Sequence, residues 1–288
     1  MNEGHGFELV LFLAQAGCAI AQAVIFAYYY RVSRLEHLRL WGLSFVALAL
    51  YLVAALLAID IAEPPAGGTF LRVLLAALSL GAAYLQVALL ALGTIVVLDR
   101  RPAPRTVISV LLAATLLGVF TALLFAGSPA ASPQRIVLRS GLRYAITSAA
   151  YLIVAILLWR RARKSGLGAR LAAFAMGAYG VELLHVLGIL VAEQGFGVRP
   201  RWAPYVGVLD LVAQLFIGYG LVVWLLEDER LRYERADSAL RRLRDVDPVT
   251  GFPNRLRRLS DLKATRRATN QRTAAMLIGI DQLDMLRR

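Results

Sequence analysis

The chain has 288 residues, 59% of them apolar, with a mean hydropathy of +0.62 and a net charge of +13. An ordinary soluble domain is roughly 45–50% apolar, so a soluble globule, a disordered tail and a disulfide scaffold are all excluded. Residues 1–226 read as long apolar runs separated by short charged gaps, whereas 227–288 are heavily charged, which is the pattern of a polytopic membrane protein carrying a small soluble piece.

Only Lys164 and Lys263 are lysines; the other thirty cations are arginines. Most of them stand beside apolar runs, where they set orientation in the bilayer, and no nucleic-acid partner is expected. Cys18 is the single cysteine and lies inside the first run, so no internal disulfide can form. The leader Met1 to Phe7 contains no Lys or Arg and carries Glu3, unlike a signal peptide.

In chain order, seven spans are predicted near 8–30, 40–60, 70–98, 106–126, 136–159, 170–192 and 204–226. Breakers stand in the gaps: Pro64-Pro65 with Gly67-Gly68, Pro102 with Pro104, Pro129 with Pro133, and Pro200 with Pro204. The third run exceeds what a bilayer needs and is expected to tilt or project. Alternate gaps differ in charge. One side holds eleven cations, in the groups Arg31, Arg34 and Arg39, then Arg100, Arg101 and Arg105, then Arg160, Arg161, Arg163, Lys164 and Arg170. The other side has Arg135, Arg199 and Arg201, with Arg72 and Arg139 at span edges. The basic side is therefore read as cytoplasmic, which places the N-terminus outside and the C-terminal piece inside. Trp41, Trp159 and Trp202 are expected at the interfaces.

Four ionisable residues lie within spans: Arg143 in the fifth, Glu182 and His185 in the sixth, and Asp210 in the seventh. At 1.5 Å per residue from the outer ends, Arg143, His185 and Asp210 lie roughly 9–10 Å deep and Glu182 about 15 Å. Arg139/Arg143 and Asp210/Gln214 are i,i+4 pairs, and Glu182/His185 is i,i+3. An uncompensated charge at a helix centre costs on the order of 3 kcal/mol, so these groups are expected to face inward, with Arg143 contacting Asp210 or Glu182. Two readings remain open. One is an outward-open polar pocket for a small ligand; the other is an ion-pair network that only fixes packing. No cofactor is expected. A retinal Schiff base needs a lysine inside a span, and a membrane haem usually needs two histidines, whereas of His5, His37 and His185 only the last is in the bilayer. A lone E-x-x-H from Glu182 and His185 is a poor metal site, so no metal is assigned there.

Beyond the seventh span, Leu226, Tyr233 and Leu240 recur every seven residues, with Ala236 and Leu243 between them and Glu229 as a defect. This predicts a coiled-coil-like helix over 227–246, and a homodimer through it; a basic helix lying on anionic lipid is the alternative. Next come Asp247-Pro248-Val249-Thr250-Gly251-Phe252-Pro253-Asn254-Arg255, a turn pivoting at Gly251 and a helix opening near Pro253. That helix is followed by TAAMLIGID, a short apolar strand in which Ala275, Leu277 and Ile278 need sheet neighbours.

Asp247 to Arg255 resembles the opening D-x-L-T-G-L-x-N-R of the GGDEF domain, the diguanylate cyclase family. Asp247, Thr250, Gly251, Asn254 and Arg255 match it, and Val249 and Phe252 are apolar equivalents. The resemblance covers 247–288 and implies an α/β domain. The P-N-R form is similar to the version that precedes an EAL phosphodiesterase domain. In the family the first strand ends in D-[LI]-D-x-F-K-x-I-N, whose first Asp holds metal and whose Asn reads guanine. Here Gly279 occupies the metal position, Asp284 the basic one and Arg287 that of the Asn. Asp281 takes the metal position only in a poorer register. Loss of a metal carboxylate removes what neutralises a triphosphate, so no catalytic residue is assigned and the segment is expected to be inactive. The sequence G-G-[DE]-E-F is not reached, and the chain is expected to be a piece of a longer protein.

The expected architecture is mainly α: a seven-transmembrane bundle over 1–226, a signalling helix over 227–246, and the opening of an α/β GGDEF-like domain over 247–288. The resemblance implies a bacterial inner-membrane receptor that passes an external or membrane signal to cyclic di-GMP signalling. A small-molecule transporter or channel built on Arg143, Glu182, His185 and Asp210 is the alternative, although an odd span count without an inverted repeat disfavours it. A structural membrane adaptor is the third reading.

Overall fold

The computed structural model describes residues 3–61, 69–98, 102–124, 132–162, 166–198, 200, 202 and 205–245, together with residues 252, 254, 257, 261 and 264. Seven α-helices make up the described elements: α1 Glu3–Ser33, α2 Glu36–Ile61, α3 Thr69–Val97, α4 Pro104–Leu123, α5 Pro133–Ala162, α6 Leu167–Phe196 and α7 Val206–Asp245. All seven are long and apolar enough to cross a membrane, and they correspond in order to the seven predicted spans. The strand of the α/β opening falls on 273–281, outside the described residues, and among the described residues every regular element is helical. The chain divides into two units, Met1–Glu227 and Asp228–Arg288.

Two residues read as breakers turn out to open helices. Pro104 and Pro133 are the first residues of α4 and α5, positions where the missing N–H has no helical partner to lose. The short turn between α1 and α2 uses Arg34 in a left-handed conformation (φ 57°), with its N–H bonded to Tyr30 O at 2.8 Å, an αL closure without glycine. α6 closes with Gly197 at φ 68°, its N–H on Glu193 O at 3.0 Å. There a Cβ is penalised.

One core cluster draws buried residues from α1, α2, α3, α5, α6 and α7 and none from α4. Phe26 stacks on Phe45 with ring centroids 5.6 Å apart, and Trp41 meets Phe26 and Trp224 at 5.9 and 5.7 Å. Trp41, expected at an interface, is 2% exposed and faces inward, because it fills the gap between α1, α2 and α7. Trp159 and Trp202 are exposed.

α4 is peripheral. Only 17% of its apolar stretch is buried, against 56% for α3. The hydroxyls of Thr115 and Thr121 bond back to Leu111 O and Leu117 O of the same helix, so α4 brings few polar groups that need a partner elsewhere. It meets α3 where Gly118 lies on Gly81, so closely that a Cβ at 118 would overlap the Gly81 backbone. Gly168 and Gly220 play the same part between α6 and α7, against the Trp224 backbone and Ala172. Small residues let helices approach closely where surrounding apolar solvent gives no hydrophobic drive to association.

α1 and α7 are joined by three hydrogen bonds from glutamine side-chain amides. Gln15 Nε2 donates to Gly207 O (2.8 Å), Gln214 Nε2 to Gln15 O (3.1 Å), and Gln22 Nε2 to Gln214 O (3.2 Å). The seven-residue spacings Gln15/Gln22 and Gly207/Gln214 put these groups on facing stripes of two parallel helices.

Gly118→Leu is expected to destabilise the purified protein by about 1–3 kcal/mol through overpacking. Gly188→Ala, with nothing within 4 Å of the new Cβ, should be neutral or gain up to about 1 kcal/mol from helix propensity. Thermal unfolding in detergent measures both.

Candidate functional site

The four residues singled out within the spans lie on three helices: Arg143 on α5, Glu182 and His185 on α6, and Asp210 on α7. Arg143 of α5 donates from Nη1 to the Tyr51 hydroxyl of α2. Its guanidinium also lies over two aromatic faces, 5.1 Å from the Tyr51 centroid and 4.1 Å from that of Tyr144, an arrangement that stabilises a cation out of water. Asp210 of α7 is within electrostatic range of Arg143 and within hydrogen-bonding reach of the Tyr179 hydroxyl on α6. Glu182, one turn beyond Tyr179, feels the Asp210 charge. Among the described residues no direct ion pair joins Arg143 to Asp210 or Glu182. The first contact of the guanidinium is a tyrosine, and of the two carboxylates Asp210 acts on it at longer range.

His185 stands apart. Its ring stacks on Trp202 with centroids 4.9 Å apart and 19° between the planes, and the residue is exposed. Among the described residues no group of three His, Cys, Asp or Glu side chains converges on one point.

Two carboxyl oxygens in this region are buried without a hydrogen-bond partner: Glu182 Oε1 and Asp210 Oδ1. Glu182 also lines a groove of about 360 Å³ between α6 and α7, whose other walls include Phe174, Leu209, Val212 and Phe216. The groove is thus apolar with one carboxyl in its wall, and suits an apolar molecule bearing a hydrogen-bond donor or a cation.

A second polar layer lies deeper. Gln86 Nε2 of α3 donates to the Tyr151 hydroxyl at 2.7 Å, and Ser148 Oγ donates to Gly180 O at 2.6 Å. Gln86, Tyr151, Tyr179 and Gln214 edge an enclosed cavity of about 10 Å³, room for one water molecule at most.

At the other end of the α6/α7 pair, Glu227 caps α6. Its Oε1 and Oε2 accept the N–H groups of Leu167 and Gly168, both at 2.9 Å. Gly166, at the N-cap, has no side chain with which to do this. The carboxylate supplies the missing acceptors and complements the positive end of the helix dipole.

Sequence reasoning found Arg143, Glu182 and Asp210 but missed Tyr51, Tyr144, Tyr179, Gln86, Tyr151 and Glu227. Tyr51 has a partial signal: it lies about 13 Å from the expected outer end of span 2, between the depths of Arg143 and Glu182. Glu227 has none, because its partners are backbone groups sixty residues away.

In the C-terminal motif Asp247, Thr250, Gly251 and Arg255 lie outside the described residues, as do Gly279 and Asp281. Asn254 is described: its Oδ1 accepts the Arg257 N–H at 3.1 Å, and Arg257, Asp261 and Ala264 are helical. This is the side-chain-to-backbone bond of an N-cap; the rest of the helix predicted from Pro253 falls on residues outside the described ones.

No family model, no curated protein and no solved structure matches the chain.

The Tyr51–Arg143 contact is expected to be worth measuring as a pair. Tyr51→Phe should destabilise by about 1–3 kcal/mol by stripping a buried cation of its acceptor. A double-mutant cycle with Arg143→Gln should show about 0.5–3 kcal/mol of coupling, read from thermal or denaturant unfolding.

Proposed function

We propose that this chain is a multi-pass membrane receptor of the bacterial inner membrane whose seventh helix carries a signal to a GGDEF-like output segment in cyclic di-GMP signalling. The observation that carries the reading is α7: one helix, Val206–Asp245, bears Asp210 and Gln214 at its start, Glu227 midway and the charged 228–245 stretch at its end. Each landmark within the bundle is tied to another helix: Asp210 to Tyr179 of α6, Gln214 to Gln15 of α1, and Glu227 to the N-terminus of α6. A ligand in the α6/α7 groove that satisfies Glu182 would change how α7 lies against α6. It can shift the balance of states only by its difference in affinity for them.

Tyr233 and Leu240, predicted seam positions, are 77% and 66% exposed, and Arg230–Glu234 and Arg232–Asp228 pair along the helix at 2.9 and 2.8 Å. An exposed apolar stripe flanked by ion pairs favours a second copy of the helix as its partner. Transport is the weaker reading, since an odd number of spans without an inverted repeat lacks the paired halves common in transporters. The GGDEF likeness rests on the sequence of residues 247–255.

Replacing 247–288 with an active diguanylate cyclase domain, in register after Val246, tests the coupling. Glu227→Gln is expected to change cyclic di-GMP output by about fivefold or more at equal protein level, the lower end of ordinary allosteric coupling. Equal output in both proteins would overturn the reading. Orientation has its own test: a reporter fused after Arg101 should behave as cytoplasmic and one after Gly67 as external.

A further inference from the structure

The groove between α6 and α7 runs along the two helices and ends at an acid. Gly168 lies against the Trp224 backbone and Gly220 against Ala172, so the antiparallel helices are in close backbone contact where α6 begins. Carried along both helices, that register sets Glu182 level with Asp210. Between the close contact and the two acids, Ala175, Ala178 and Ala213 line the groove with methyl groups alone, too small to fill it. From Leu171 to Glu182 the groove follows roughly 16 Å of α6 at 1.5 Å per residue. Its volume of about 360 Å³ is within the range of small-molecule sites, about 300–1,000 Å³.

Phe174 and Phe216 stand on its walls and are 68% and 51% exposed. The groove therefore opens sideways from the bundle, toward lipid in a spanning chain. Its one charged wall group is Glu182, whose Oε1 is buried with no hydrogen-bond partner. His185, one turn away, stacks on Trp202, and Arg143 donates to Tyr51 and lies over Tyr144. A carboxylate accepts and cannot donate, so an occupant that satisfies Glu182 must bring the donor, and an ionised donor makes the stronger bond. Apolar walls alone give little preference over lipid, which is equally apolar. The carboxyl thus carries the selectivity, and the walls set the position of the rest of the molecule.

We infer that the groove binds a lipophilic amine from the bilayer, with its ammonium on Glu182 and its alkyl chain running past Phe174 and Phe216 toward Leu171. An alkylamine, like a lysine side chain, is a cation at neutral pH. The assignment rests on the receptor reading above, whose ligand it names by chemical class. The bound chain touches both helices and so favours one arrangement of α7 on α6.

The test uses the full chain in nanodiscs of phosphatidylcholine, which carries no net charge. The probe is dodecylamine bearing a photoactivatable diazirine in mid-chain, and the labelled residues are mapped by mass spectrometry. Label is expected on 171–182 and 209–216, displaced by excess dodecylamine and not by dodecanol. It should fall about tenfold in Glu182→Gln, which loses the charge-assisted bond. Ala178→Phe, at an exposed position in the groove wall, keeps the carboxyl but fills the space, and should lose the label to a similar degree. The inference is overturned if dodecanol competes as well as the amine, if either variant labels as strongly as wild type, or if α1 and α4 take as much label as α6 and α7. The receptor reading fails separately. Labelling as expected, in a protein whose cyclase chimera ignores Glu227→Gln, keeps the amine site and removes the receptor; indiscriminate labelling, in a protein whose chimera responds, removes the amine site and keeps the receptor.

Discussion

Apolar surroundings provide no partners for hydrogen bonds, and most of this bundle follows from that constraint. Helical backbone satisfies itself, so the problem falls on the side chains that are polar within the spans. Gln15, Gln22 and Gln214 solve it by bonding to backbone carbonyls across the α1/α7 contact. Gln86 and Tyr151 bond each other, and Arg143 finds Tyr51 and two ring faces. Each solution ties two helices together, so the polar residues that cost most to bury also set which helices are neighbours. α4 is the converse case: its threonines bond within their own helix, and it lies outside the ring of core-forming helices.

The same constraint makes the exceptions informative. Glu182 Oε1, Asp210 Oδ1 and Arg72 Nε are the charged-group atoms among the buried ones without partners, beside Gln22 Oε1, Trp41 Nε1, Tyr84 Oη and Ser132 Oγ. The two carboxyl oxygens lie between α6 and α7, where a groove reaches Glu182; Arg72 Nε lies at the start of α3. Buried unsatisfied groups are uncommon in native proteins, and each has a physical reason such as strain, a functional role or a bound water or ion.

α6 and α7 form the pair with most at stake. Gly168 and Gly220 bring the two backbones together, Tyr179 approaches Asp210, and Glu227 closes the α6 N-terminus with a carboxylate from α7. A shift of α7 along its axis would have to break that cap, whereas a rotation would displace Asp210 from Tyr179.

Sequence alone determined the number of helices, their order and most of their extent, because an apolar run near twenty residues long has few alternatives to a spanning helix. It also determined which side chains would be costly to bury, and Arg143, Glu182 and Asp210 were legible for that reason. What satisfies them was not. A guanidinium can donate to a tyrosine hydroxyl and lie over ring faces as well as pair with a carboxylate, and the choice of Tyr51 over Asp210 depends on how α2 and α5 are rotated. Helix rotation is weakly encoded where all faces are apolar, so Trp41 could be placed in depth but not in direction. His185 was separated from its neighbour Glu182 for the same reason: the i,i+3 spacing allowed both to face one way, and packing gave the histidine Trp202 instead. Only tertiary structure could decide Glu227, whose partners are the N–H groups of Leu167 and Gly168. Every residue has such groups, and only the docking of two helix ends leaves these two without a partner.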